Sequence, residues 1–395
     1  MLSPGASDSK SVPILPALIA MTALQMLVSC AMFAPGVMAP RIGIDAATLG
    51  LYATVTCIVG IFTAFIGGMF ATRFGPFRVA AICALAVLGA TAMSAYAGAS
   101  ALLIVSGLIL GIAYGPETPA SSAILSRITP PEKRPLVFSL RQTGNQSGAM
   151  IGSLALPWLA TADPVHGYAA IMVAAVLAVV AFEALRPGYD PLVQGAASAI
   201  NPRAALKVLM QSAGLKRLAM VSVPFSALQI SLNSFLVIYG VGKLGLTLVS
   251  AGLLLATAQC GGLIGRIVFG LVATRFFSAS TTLLAIGLGM SVCAVTMAFA
   301  TPDWPWPVLL IVAFFFGVTA SGWNGIFLAE VAHLAPEGRV GEATGAILVP
   351  GFTGLVLGPL FVASAAGVIG LGPAYAILGA ATLAGTLVLM TGYKR

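Results

Sequence analysis

Three ionisable side chains stand where the sequence is otherwise apolar: Glu117 in YGPETPA, Arg141 in FSLRQTGN and Arg266 in GGLIGRIVFG. Glu117 comes 10 residues before Arg127, Arg141 comes 7 after Arg134, and Arg266 comes 9 before Arg275. If these runs are membrane-spanning helices rising 1.5 Å per residue, the three groups lie roughly 10 to 15 Å deep, in one layer near the middle of the hydrocarbon. A charge there costs about 2.5 to 3.5 kcal/mol even on the most lenient scale, so each must be paired or face a watery cavity. An arginine stays charged at any accessible pH and presents a planar fork of donors, which suits a carboxylate held through two hydrogen bonds. A glutamate in the same layer can take up and release a proton. Together the three sum to +1, which favours a small organic anion as ligand and Glu117 as the proton carrier. The plainer roles are for Glu117 to cap a broken helix or neutralise an arginine, for Arg266 to be that arginine, and for Arg141 to snorkel to the interface.

Polar neighbours recur at helical spacing around these groups, as a cavity-facing stripe requires. Tyr114 precedes Glu117 by three residues, Asn145 follows Arg141 by four, Gln259 precedes Arg266 by seven, and Gln229 and Asn233 are four apart. Trp323 and Asn324 fall close to the repeat equivalent of Glu117. These seven residues are candidate substrate contacts with Arg141 and Arg266, and packing or interhelical hydrogen bonding is the plainer role for Gln229, Asn233 and Trp323. Glu330, His333 and Glu342 are expected at helix ends as solvated cap or gate groups. Gly144, Gly148 and Gly152 form a GxxxGxxxG stripe, which lets two helices approach closely.

The elements that hold these residues follow from composition. With 59% hydrophobic and 8% charged residues, the chain is an integral membrane protein, since soluble domains carry about 25% charge. Twelve apolar stretches are long enough to cross a bilayer, at about 14–36, 47–70, 79–97, 101–125, 136–160, 168–185, 217–240, 248–271, 281–300, 307–331, 343–366 and 372–391. The net charge of +8 does not point to nucleic acid, because 15 of the 19 Lys and Arg residues fall on one side of this threading. That side is the cytoplasmic one, with both termini on it, and the expected location is a bacterial cytoplasmic (inner) membrane. All five cysteines lie within apolar spans and imply neither disulfides nor a metal site. LVSC at Leu27 to Cys30 resembles a lipoprotein cleavage box, but cleavage there would delete half of the first span. No Walker motif, catalytic motif or cofactor signature is present, so neither an enzyme nor an ATP-driven pump is expected, and the lack of a soluble domain argues against a sensor or scaffold.

The chain also repeats itself. ATRF at Ala71 to Phe74 returns at Ala273 to Phe276, 202 residues on, and PEKR at Pro131 to Arg134 returns as PEGR at Pro336 to Arg339, 205 residues on. Each pair follows the second or the fourth span of its half. The longest break, rich in Pro, Gly and small residues, separates an N-terminal six-helix bundle (1–186) from a C-terminal one (217–395) as a cytoplasmic linker (187–216). Parallel repeats of this kind build transporters whose halves rock about a midplane site.

On these features the chain resembles the major facilitator superfamily over essentially its whole length. The family marks its loop between helices 2 and 3 with glycines and basic residues. Here the match is GMFATRFGPFR, with Gly68, Arg73, Gly75 and Arg78, and the second half keeps GLVATRF, with Gly270 and Arg275. Threonines (Thr72, Thr274) stand where the family has aspartate. The resemblance implies an all-α fold of twelve transmembrane helices in two six-helix bundles related by pseudo-two-fold symmetry, with the six loop residues acting as a gate. The GR of span eight looks like the arginine position of the monocarboxylate and oxalate:formate branches. The expected function is therefore secondary transport of a small organic anion, such as a carboxylate, by proton-coupled symport in a monomer embedded in the lipid bilayer. The alternative is a proton-coupled multidrug or metabolite exporter; drug:proton antiporters carry Gly-Pro in span five, where this chain has Gly148-Ala149.

Overall fold

Backbone groups in hydrocarbon have no water to bond to, so long apolar runs must satisfy them internally as helices. The computed structural model describes residues 13–96, 100–130, 133–161, 163–193, 202–336 and 340–391. Parts of the PEKR and PEGR loops, residues 194–201 of the linker, Lys10, Lys394 and Arg395 lie outside the described residues. Among the described residues there are fourteen α-helices and no strand. In the first half these are α1 (Ile14–Ile42), α2 (Ala46–Phe74), α3 (Pro76–Ala95), α4 (Ser100–Tyr114), α5 (Glu117–Ile128), α6 (Arg134–Leu159) and α7 (Pro164–Tyr189). A short α8 (Pro202–Gln211) precedes α9 (Ala213–Gly242), α10 (Leu248–Arg275), α11 (Ala279–Ala298), α12 (Trp306–Leu334), α13 (Val340–Ala366) and α14 (Leu371–Met390).

Eleven segments among the described residues are long and apolar enough to cross a membrane. The twelfth span is α6, which has 26 residues but carries Arg134, Arg141, Gln142, Asn145 and Gln146, so its polarity hides its length. The fourth span, expected to be continuous, is broken at Gly115-Pro116 into α4 and α5, because proline removes a helix donor and crowds the preceding turn. Polar side chains start several helices: Asp45 accepts from the Thr48 amide at 2.7 Å and Thr247 from the Ser250 amide at 3.1 Å. The Thr48 hydrogen bonds also hold the Asp45 carboxyl below its ordinary range.

The repeat read from loop motifs recurs in the packing. Within the first half α1 lies on α6, α2 on α4 and α3 on α7; the same pairs in the second half are α9 on α13, α10 on α12 and α11 on α14. The glycine stripe of α6 faces α1, and a Cβ at Gly144 would come 2.7 Å from the Thr22 carbonyl oxygen.

The halves meet through symmetric pairs, α2 with α13 and α6 with α10, together with α1 and α9. The loops with Arg73, Arg78, Arg127 and Arg134 define one face of the molecule, the basic face. Near the opposite face Thr54 donates to the Val356 carbonyl at 3.3 Å, Gly36 packs on the Ser234 carbonyl, Gly50 on Ala363, and Gly252 on the Ser153 carbonyl and Pro157. Glycine at these positions lets the halves close there.

We expect Gly252→Val, which cannot fit against Ser153 and Pro157, to open this face. A cysteine at Ser234 on the separate α1/α9 contact, in a background without the native cysteines, checks this. An impermeant maleimide applied from that face should react faster in the valine variant. Equal labelling would show that the Gly252 contact does not hold the face closed.

Candidate functional site

Glu117 opens α5 directly after the Gly115-Pro116 break, facing Arg141 on α6. Arg141 is 1% exposed, and its Nη2 donates to Glu117 Oε2 in a buried ion pair, to the Glu117 carbonyl at 3.4 Å and to Thr118 Oγ1 at 3.3 Å. Thr118 Oγ1 donates in turn to Glu117 Oε1 at 2.8 Å, so both carboxylate oxygens are engaged. This corrects two expectations. Arg141 does not snorkel, because its Nη2 is held in a buried ion pair inside the bundle although its Nε is buried without a partner, and the partner of Glu117 is Arg141, not Arg266. Glu117 takes the neutralising role toward Arg141.

Arg266 is held differently. It is partly exposed on α10; its Nε donates to the Ser321 carbonyl on α12 and its Nη1 to the Gln142 carbonyl on α6, each at 3.2 Å. Among the described residues no carboxylate pairs with it. The net positive charge of the central layer is therefore concentrated on one guanidinium that joins the two halves through carbonyl dipoles.

Around it lies an amide cluster. Gln259 Nε2 donates to Asn233 Oδ1 at 2.8 Å, and Asn324 Nδ2 lies 3.5 Å from Gln229 Oε1 and 3.4 Å from the Ser321 carbonyl. Gln229 Nε2 reaches Ser321 Oγ at 3.5 Å. In the first half Gln25 donates to Gln142 Oε1 at 3.2 Å, and the backbone carbonyl of Asn145 accepts from Ser29 at 2.7 Å while its side chain is partly exposed. Two further candidates pack against other side chains or backbone. Tyr114 ends α4 with its ring against Gly60, just before the Gly115-Pro116 break that precedes Glu117. Trp323 is buried edge-on between Phe225 and Phe327, with ring centroids 5.5 and 5.2 Å away, and its N–H bonds the Ala320 carbonyl. Gln25, Gln142, Gln146 and Ser321 are site-layer residues that the sequence reading missed. RQTGNQ at Arg141 to Gln146 carried the signal for two of them, since Gln142 and Gln146 are four apart.

The loop motif is on the basic face. Gly68 lies near Pro119; Arg73 is exposed with its guanidinium 5.3 Å from the Phe74 ring centroid; Arg78 is exposed. Gly75 adopts φ 98, and its Cα faces the Asp190 carboxylate, leaving no room for a Cβ. Asp190, just past α7, accepts from the Phe77 amide at 2.7 Å and the Arg78 amide at 3.3 Å, placing a negative charge on the first turn of α3. In the second half Gly270 and the exposed Arg275 lie in the last turns of α10. Glu330, expected to be solvated, is buried instead and accepts from Ser280 at the start of α11, while His333 is exposed.

Replacing Asp190 with Ala removes the acceptor of two helix amides and should cost about 0.5 to 2 kcal/mol. A lowered Tm with substrate affinity retained is the expected result; an unchanged Tm would mean that the carboxylate does not hold this loop.

The model of the Major Facilitator Superfamily matches residues 17–359. A search of curated proteins finds no match. Among solved structures, the nucleoside transporter NupG superposes with a TM-score of 0.76 at 15% identity, covering 97% of this chain and 99% of the other. A D-xylose-proton symporter gives 0.78 at 14% identity, covering 96% and 97%. A bacterial homologue of the human lysosomal transporter Spinster, solved inward-facing and unoccupied, gives 0.70 at 17% identity, covering 98% and 96%. These likenesses establish the fold, and the family match over most of the sequence adds the lineage: this chain belongs to the Major Facilitator Superfamily.

Proposed function

We propose that the protein is a secondary transporter that carries a small organic anion, a carboxylate, across the bacterial cytoplasmic membrane by proton-coupled symport. The observation that supports this most is Arg266, a permanently charged and partly exposed group whose partners are two backbone carbonyls and no carboxylate. Carbonyl dipoles offset only part of the hydration that a partly buried guanidinium loses, so an arriving carboxylate gains two charge-assisted hydrogen bonds there. In this reading the basic face is cytoplasmic, both termini lie on it, and the closed contacts near Gly50 and Gly252 mark the outer side. Residues 1–186 and 217–395 move as two bundles joined by 187–216, in a monomer. Asn145, Gln229, Asn233, Gln259 and Asn324 supply the polar surround. The loop residues Gly68, Arg73, Gly75, Arg78, Gly270 and Arg275 serve as the gate on the basic face.

Coupling rests on the Glu117–Arg141 pair in this proposal. A proton on Glu117 removes the charge that neutralises Arg141, so the layer becomes more positive and attracts the anion more strongly. Release of the anion in turn favours loss of the proton and restores the ion pair. Anion and proton then cross together, which is symport.

Two substitutions test the parts separately. Arg266→Lys keeps the charge and loses the planar two-donor fork. The variant should fold, yet bind carboxylates at least roughly tenfold more weakly, a loss of about 1.4 kcal/mol; wild-type affinity would remove Arg266 from the site. Glu117→Gln mimics the protonated carrier and should still bind and exchange substrate while losing accumulation driven by a pH gradient. If expression and binding fall together, the carboxylate serves only to neutralise Arg141, whose unpaired charge would cost about 3 to 5 kcal/mol.

A further inference from the structure

Gln146 on α6 is 1% exposed, and neither its side-chain oxygen nor its side-chain nitrogen has a hydrogen-bond partner. Buried amides are almost always bonded, so one with both ends free in the central layer of a transporter is an exception that calls for a ligand. Its position is specific. A Cβ built on Gly262 would lie 3.4 Å from Gln146 Cγ and 2.8 Å from Ser321 Cβ. Gly262 is four residues before Arg266, about 6 Å along α10. Gln146 likewise follows Gln142, whose carbonyl accepts from Arg266 Nη1, by one helical turn. The unpartnered amide is thus the floor beneath the arginine, covered by the Arg266–Gln142 contact between the halves.

We propose that Gln146 is a specificity-determining residue, and that the substrate is an anion carrying, a few bonds from its carboxylate, a neutral group that both donates and accepts hydrogen bonds, a hydroxyl or a carboxamide. This rests on the anion reading of Arg266 and extends it. The chemistry follows from the free valences. The amide nitrogen needs an acceptor and the amide oxygen needs a donor; a carboxylate can only accept, so it cannot satisfy both. A carboxylate that takes the guanidinium competes with the Gln142 carbonyl, and loosening that contact uncovers the floor. The second polar group of the ligand then reaches Gln146. A site built to bond such a group discriminates against the analogue that lacks it, because the protein's own donor and acceptor stay unpaired.

Isothermal titration of the purified full-length protein with matched pairs tests this: C3 to C5 alkanoates against their 2-hydroxy and terminal carboxamide analogues. Wild type should bind a substituted member at least roughly tenfold more tightly than its unsubstituted partner. Gln146→Met, similar in shape and apolar, should abolish that ratio, whereas Arg266→Gln should weaken both members and keep it. An unchanged ratio in Gln146→Met, or none in wild type, overturns the proposal and leaves the anion reading standing. If only neutral solutes bind, the anion reading falls, and the same ratio measured on hydroxylated and deoxy neutral pairs still decides the role of Gln146. Should the Met variant not fold, Gln146→Asn, which keeps the amide but withdraws it, should lower the ratio; an unaltered ratio there also refutes the assignment.

Discussion

A guanidinium cannot be left bare in hydrocarbon, and the way this chain meets that constraint at two positions organises its centre. Arg141 receives a carboxylate, the Thr118 hydroxyl and a backbone carbonyl, all on α5, so its charge is cancelled within one half. Arg266 receives a carbonyl from each half, Ser321 on α12 and Gln142 on α6, so its charge is spread over dipoles but not cancelled. Glu117 opens α5 after the Gly115-Pro116 break and meets α6, and the α6/α10 pairing brings Gln142 to Arg266. The first group ties helices together inside a bundle; the second lies on the seam between bundles.

That seam has a simple composition. Near the face opposite the basic loops it is closed by backbone-level contacts at Gly36, Gly50 and Gly252. At mid-depth it becomes polar, with Arg266, Gln142 and Gln146. At the basic face the loop after α2 is tied to its own bundle by Asp190, and the start of α11 is tied by Glu330. Each half anchors that loop region with a carboxylate from a different element, so the duplication kept the physical solution without keeping the residue. Close backbone packing at one end and polar groups at the centre suit parallel-repeat bundles arranged about a midplane site.

Much of the fold was legible because the bilayer forces one-to-one rules: about twenty apolar residues make a span, basic loops gather on one side, and duplicated loops mark duplicated bundles. Even the twelfth span, too polar for a hydropathy criterion, was readable from its place between charged breaks. The layer of Glu117, Arg141 and Arg266 was legible from depth alone. Which arginine pairs with the glutamate was not, since that depends on the rotation of α5 after the proline break, and helical spacing does not carry across a break. Trp323 reads as polar-capable by type, but its N–H closes on the Ala320 carbonyl within its own helix, which frees the ring for packing. Asp190 was hidden because it acts on a loop 113 residues earlier in the chain.

On the reading proposed above, one uncancelled charge on the seam selects an anion and a proton crosses with it. The direct measurement is uptake by the purified protein in liposomes across a panel of radiolabelled carboxylates, neutral sugars and nucleosides, with and without an imposed pH gradient. The expected result is accumulation of a carboxylate that requires the gradient and collapses when a protonophore dissipates it. Uptake of neutral solutes alone, or carboxylate accumulation indifferent to the gradient, would contradict it.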